Sequence, residues 1–238
     1  GGSPMRPSPR QVARSATAAA AVAVLAILAA CSAAPRAPQP QPPSGPGYRL
    51  TEWAPSSSFV VRVHPSAGSL TDEVMAAAAE VTARSGITFV LGPPAPTPAP
   101  DLVGSTPEIT VVVGTYCSAG AIGCAEMWGQ WGFTPEERHV IRDVRLSVVP
   151  AMLDDAATRR AVLLHELGHA VGLDHHSETF EGQHQVMNPY VEPTMSQYRS
   201  GDDAGLAATG TRARPATDPA AALLQLFGAT PPAARRLP

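Results

Sequence analysis

Cysteine is scarce in this chain, with 3 residues in 238, at positions 31, 117 and 124. None lies near the histidine-rich stretch at 165–175, so that stretch lacks the thiolate with which structural metal sites usually close their tetrahedron. Cys117 and Cys124 have no second pair and no neighbouring histidine, which argues against a metal site of their own. Basic clusters are missing too. The formal net charge is −3 and no basic block follows the N-terminal segment, so a nucleic-acid partner is not expected. Long apolar runs are also absent: the uncharged segment from Ser15 to Ala30 is rich in small side chains and shorter than the ~20 residues of a membrane helix.

Residues 165 to 175 read His-Glu-Leu-Gly-His-Ala-Val-Gly-Leu-Asp-His. On a helix, His165 and His169 lie on one face about a turn apart and can grip a single ion. Gly172 follows, where glycine accepts the left-handed conformation that stops a helix, and the turn brings His175 back. Three neutral imidazoles with one position left to water describe a catalytic zinc site. Glu166, beside the first ligand, directs a carboxylate toward that open position and can serve as general base. The competing reading is an ordinary buried helix that happens to contain histidines.

Val186-Met187-Asn188-Pro189-Tyr190 follows after a polar loop. HExxHxxGxxH with a methionine in a later turn resembles the metzincin clan of zinc peptidases, and within it the matrixin-like branch. The resemblance implies an α+β catalytic domain of zincin type: a twisted mixed sheet, a central metal-binding helix and a short C-terminal helix. It implies one catalytic Zn2+, a peptide or protein substrate, and Met187 as the Met-turn residue beneath the ligands, with Met195 as competitor. Tyr190, three residues past Met187, is spaced as in matrixins, where the tyrosine shapes the substrate pocket. Two parts of the matrixin pattern are not found, a propeptide with a cysteine switch and recognisable calcium loops. His176, His184, Asp174 and Glu178 read as a solvated loop, and His64 and His139, without spacing partners, as structural or exposed.

The N-terminus suggests export. Met5 opens a segment with Arg6, Arg10 and Arg14 before the uncharged run, the layout of a secretory signal peptide spanning 1–30, in which residues 1–4 read as a scar or misplaced start. Leu28-Ala29-Ala30-Cys31 resembles the lipobox of bacterial lipoproteins, with Cys31 lipidated and the protein anchored at the bacterial cell surface. A plain signal peptide and a secreted protein are the alternative. Residues 31–47, rich in proline, read as a tether. The lipid is the only membrane contact implied, and a monomer is expected.

Residues 48–210 form the expected metallopeptidase domain, long enough for one core. Alternation predicts strands at 59–64, 87–91 and 139–149, and a largely apolar run predicts a further, central strand at 108–113. Helices are predicted at 70–85, closed by Gly86, at 155–171, capped by Asp154 or Asp155, and from 201, capped by Ser200 or Asp202. Residues 92–100 read as a proline-rich loop and 211–238 as a disordered tail, with a brief helix at 220–227 as its only ordered alternative. In an exported chain Cys117 and Cys124 are expected to form a disulfide. The segment after them carries Trp128 and Trp131, which either contact substrate or pack under the loop. Two other functions fit the same residues: a zinc-containing surface lipoprotein that binds wall components or a partner without turnover, and a zinc peptidase of peptidoglycan.

Overall fold

The computed structural model describes residues 45–100, 106–118, 120–130, 139–215 and 235–236. Cys31, the expected signal segment, Trp131 and the 220–227 stretch lie outside them. The fold is α+β. Strands β1 (Arg49–Leu50), β2 (Ala54–Pro55), β3 (Ser58–Val63), β4 (Thr88–Leu91), β5 (Glu108–Val113), β6 (Gly123–Gln130), β7 (Val140–Val148), β8 (Leu173–Asp174) and β9 (Arg235–Arg236) alternate with helices α1 (Thr71–Ser85), α2 (Ala156–Ala170) and α3 (Ser200–Arg212). The main sheet has the order β4-β3-β5-β7-β6-β9, with β2 also pairing β7. It is mixed: β3, β4, β5 and β7 pair in parallel, while β6 runs antiparallel to β7.

The sequence patterns account for most of this. β3 buries Phe59, Val61 and Val63 and turns the residues between them outward, as period-2 alternation requires. The apolar run of β5 lies between β3 and β7 and is buried on both faces. Its two buried polar residues are paired, with Thr110 Oγ1 donating to Glu108 and Arg62 meeting the same carboxylate at 3.2 Å. Helix α1 ends at Gly86, whose φ of +75° is left-handed, with its N–H donating to the Thr82 carbonyl. In α2 the Asp155 carboxylate accepts from the Thr158 N–H at 2.8 Å. Val162, Leu163, Leu164 and Leu167 have no exposed surface, and α2 packs on α1, β6 and β7. No helix of the described residues is long and apolar enough to cross a membrane.

Three expectations need correction. Helix α3 begins at Ser200 with Arg199 at its N-cap. Asp202 is the third helical residue and not the cap, its carboxylate reaching back to the Arg199 N–H at 3.1 Å. The domain also exceeds 48–210 at both ends. Gly47 is buried against Gly201, Arg212 donates to the carbonyls of Thr51 and Trp53, and the Arg214 N–H donates to the Pro55 carbonyl. Finally, β9 pairs antiparallel with Trp128–Gly129 of β6, so part of the expected disordered tail belongs to the sheet. Composition missed this because a strand partner needs only main-chain donors and acceptors, which every residue but proline supplies.

Candidate metal centre

His165 and His169 sit on one face of α2, and their Nε2 atoms are 3.1 Å apart. Beyond the helix Gly172 takes φ +91°, its N–H donating to the His169 carbonyl. The chain then runs into β8, which pairs antiparallel with β1. That short ladder fixes the direction of the returning chain, and His175 Nε2 arrives 3.2 Å from each of the other two. A side chain at Gly172 would be strained at this φ, and its Cβ would lie 3.1 Å from the Trp53 carbonyl oxygen.

The outer ring nitrogens settle the tautomers. His165 Nδ1 lies 2.7 Å from the Val186 carbonyl and His169 Nδ1 2.9 Å from the Leu173 carbonyl. A carbonyl only accepts, so both Nδ1 atoms carry the proton and donate, leaving the Nε2 lone pairs free to converge. Imidazole–metal bonds of about 2.0–2.1 Å at tetrahedral angles put nitrogens about 3.3 Å apart, close to the observed separations. Residues His165, His169 and His175 can therefore hold a metal ion.

Burial lowers the pKa of His165 to about 4 and that of His169 to about 3. His175, more exposed, is also lowered by desolvation, opposed by Asp174. All three are thus neutral near pH 7, the form that binds metal. Glu166 is buried beside them, and desolvation pushes its carboxyl up to about 8 against the Ala125 N–H, which bonds to it. A bound cation would act in the opposite direction. One carboxyl oxygen, Oε2, is buried and has no hydrogen-bond partner among the described residues. A buried polar atom left open in this way calls for a functional explanation.

The far side of the triad is closed by the turn at Gln185–Asn188. Met187 is buried, and its thioether lies against Gly168, on the helix between the two ligands, where any Cβ would collide with it. The Met187 carbonyl accepts from the His176 N–H, and Asp202 accepts from the N–H groups of Val186 and Met187 at 2.8 and 3.3 Å. One buried carboxylate on α3 thereby fixes the segment whose Val186 carbonyl orients His165. Tyr198 completes the support, its buried hydroxyl donating to the Leu164 carbonyl at 2.6 Å.

The structure brings His165, Glu166, His169, Gly172, His175 and Met187 together. Met195 is buried as well, in the short 3-10 turn Pro193–Met195 against α2, but it is Met187 that touches the helix between the ligands. Cys117 and Cys124 are disulfide-bonded. Trp128 is half-buried in β6, opposite Asp143. Tyr190 projects into solvent, 81% exposed. The solvated-loop reading fails for His176, which is buried with its N–H and ring nitrogen satisfied by main-chain carbonyls, whereas His184 is exposed and meets Asn188. His64 caps the turn at Pro65–Leu70, and His139 lies on the Trp53 ring, both structural as expected. Asp202, Ala125 and Gly168 were not anticipated as parts of the site. Gly168 carried a signal, since a glycine inside a strong helix often marks close approach. No protein-family model matches the chain, and no curated protein matches it.

Proposed function

We propose that the protein is a zinc-dependent endopeptidase of metzincin, matrixin-like type. The observation that carries this reading is the convergence of three Nε2 atoms, with the residue after the first histidine a buried glutamate, one of whose carboxyl oxygens has no partner among the described residues. An all-imidazole set with no thiolate suits catalytic zinc, which when bound supplies Lewis-acid polarisation of a carbonyl and a water acidic enough to ionise near neutral pH. The chain's own residues do the rest. His165, His169 and His175 hold the ion, and the Val186 and Leu173 carbonyls keep two of the rings aligned. Glu166 takes a proton from the attacking water and returns it to the departing amine. A peptide added along β6 would lie beside Glu166 at the Gly123–Met127 part of the strand, since β9 pairs with Trp128–Gly129.

Incubating the full chain with a diverse peptide mixture, with and without a chelator, tests this by mass spectrometry. Cleavage should require metal, and Glu166→Ala should keep zinc while lowering the rate by ~10²–10⁴-fold. Glu166→Ala cleaving at the wild-type rate would overturn the role of that residue. Zinc retention with no peptide cleaved would point to a binding protein, and release of cell-wall fragments alone to a peptidoglycan peptidase. We further propose that the chain is exported and lipidated at Cys31. Labelled fatty acid should enter the wild type and not Cys31→Ser, and equal membrane association of the two without labelling would sink the lipid anchor.

A further inference from the structure

Strand β6 opens with a glycine that makes no turn. Among the described residues, Gly45, Gly47, Gly86, Gly120, Gly172 and Gly182 have positive φ, and Gly123 is not one of them. It sits in regular register opposite Val148 of β7. Its lack of a side chain serves space and not conformation. A Cβ there would lie 2.8 Å from Glu166 Oε1, 3.2 Å from Glu166 Cγ and 2.7 Å from Val162 Cγ1. By contrast, a Cβ on Gly68 would meet no atom of the described residues within 4 Å.

Two residues on, and so with its N–H directed to the same edge of the strand as that of Gly123, Ala125 supplies the N–H that bonds to the Glu166 carboxyl. We infer that Gly123 is a positioning residue: with Ala125 it forms the seat against which the Glu166 carboxylate is held beside the three imidazoles. This rests on the reading of Glu166 as general base. The seat cannot yield easily. Cys124, between the two residues, is tied to Cys117, and the Val149 N–H donates to the Ile122 carbonyl at 3.1 Å. Glu126 pairs with Arg145, whose guanidinium also lies 4.7 Å from the centre of the Tyr116 ring. Val162 is β-branched within a helix and therefore stiff at χ1. A methyl added at Gly123 is accommodated most cheaply by swinging the Glu166 side chain, which has three rotatable bonds, out of its place.

The test is Gly123→Ala in the full chain, beside Gly68→Ala as a control for glycine replacement and Gly123→Ala/Val162→Ala to relieve the aliphatic clash. The readouts are zinc content, a crystal structure, and kcat with KM on a cleaved peptide. Gly123→Ala should keep zinc and the triad, displace the Glu166 carboxyl from the Ala125 N–H, and lower kcat by ~10–100-fold with KM within about twofold, the scale expected of a misplaced catalytic group. The double variant should remain slow, because the methyl still meets the carboxyl. Glu166 unmoved in the crystal, or full recovery of kcat on relieving Val162, overturns the inference. If Gly123→Ala alone does not fold, the same comparison is made in the Val162→Ala background. If the wild type cleaves no peptide, the peptidase reading fails, while displacement of Glu166 at constant zinc still decides the role of Gly123.

Discussion

The three imidazoles come from eleven consecutive residues, and two of them donate outward to main-chain carbonyls in a buried, satisfied shell. Strand β6, which touches the same Glu166, is held by its register with β7, the Cys117–Cys124 disulfide and the Arg145–Glu126 pair. The first region is fixed by local geometry and by one buried carboxylate. The second is fixed by cross-links on a strand whose outer edge is paired with β9 at Trp128–Gly129. On the proposed function, holding a cation and presenting a strand edge make opposite demands on the main chain. Orienting a ligand uses up carbonyls, whereas binding a peptide by strand addition needs them free.

Substitutions that act on one region and spare the other test this contrast. The largest effect should come from His169→Ala, which removes one of three ligands: zinc measured by elemental analysis should fall from one per chain to background, and chelator-sensitive cleavage should vanish with it. Next, Asp202→Ala strands the buried N–H groups of Val186 and Met187 and the partly buried one of Arg199. The expected loss is on the order of 3–5 kcal/mol by denaturant melts, with metal affinity reduced ~10–100-fold because the Val186 carbonyl no longer holds His165 in place. Unchanged zinc affinity in a folded Asp202→Ala protein would break the proposed link between α3 and the ligands. The smallest effect belongs to the strand region. Cys117→Ser/Cys124→Ser opens a short loop and should cost about 2 kcal/mol of stability, lower kcat through loosening of the Gly123 seat, and leave zinc content at one per chain. Loss of zinc in that variant would mean that the two regions are not separately held.

Four strands and three helices were legible because each carried its own period or stop signal, whereas β6, with glycines at 123 and 129 and no clear alternation, was not expected. Alternation marked β3, the continuous apolar run marked β5 as central, and Gly86 and Asp155 marked helix ends. Where the reading went wrong, the structure depends on a partner distant in sequence. Asp202 looked like a helix cap because acidic residues favour first turns, yet its main acceptors serve a turn sixteen residues earlier. His176 looked solvated because its neighbours are polar, yet it folds under the Met187 carbonyl. The segment at 235–236 looked disordered because its composition has little to bury, yet its main chain completes an edge.

The sequence by itself determined the three histidines that can hold a metal ion. A spacing of four on a helix, a glycine that can turn left-handed and a third histidine three residues later leave little freedom, because each step is local and follows from backbone geometry. Only the tertiary structure decided how those rings are aimed and where Glu166 rests. The carbonyl of Val186, the carboxylate of Asp202 and the bare Cα of Gly123 reach the site through strand register and helix packing, contacts between segments far apart in the chain that no local pattern encodes.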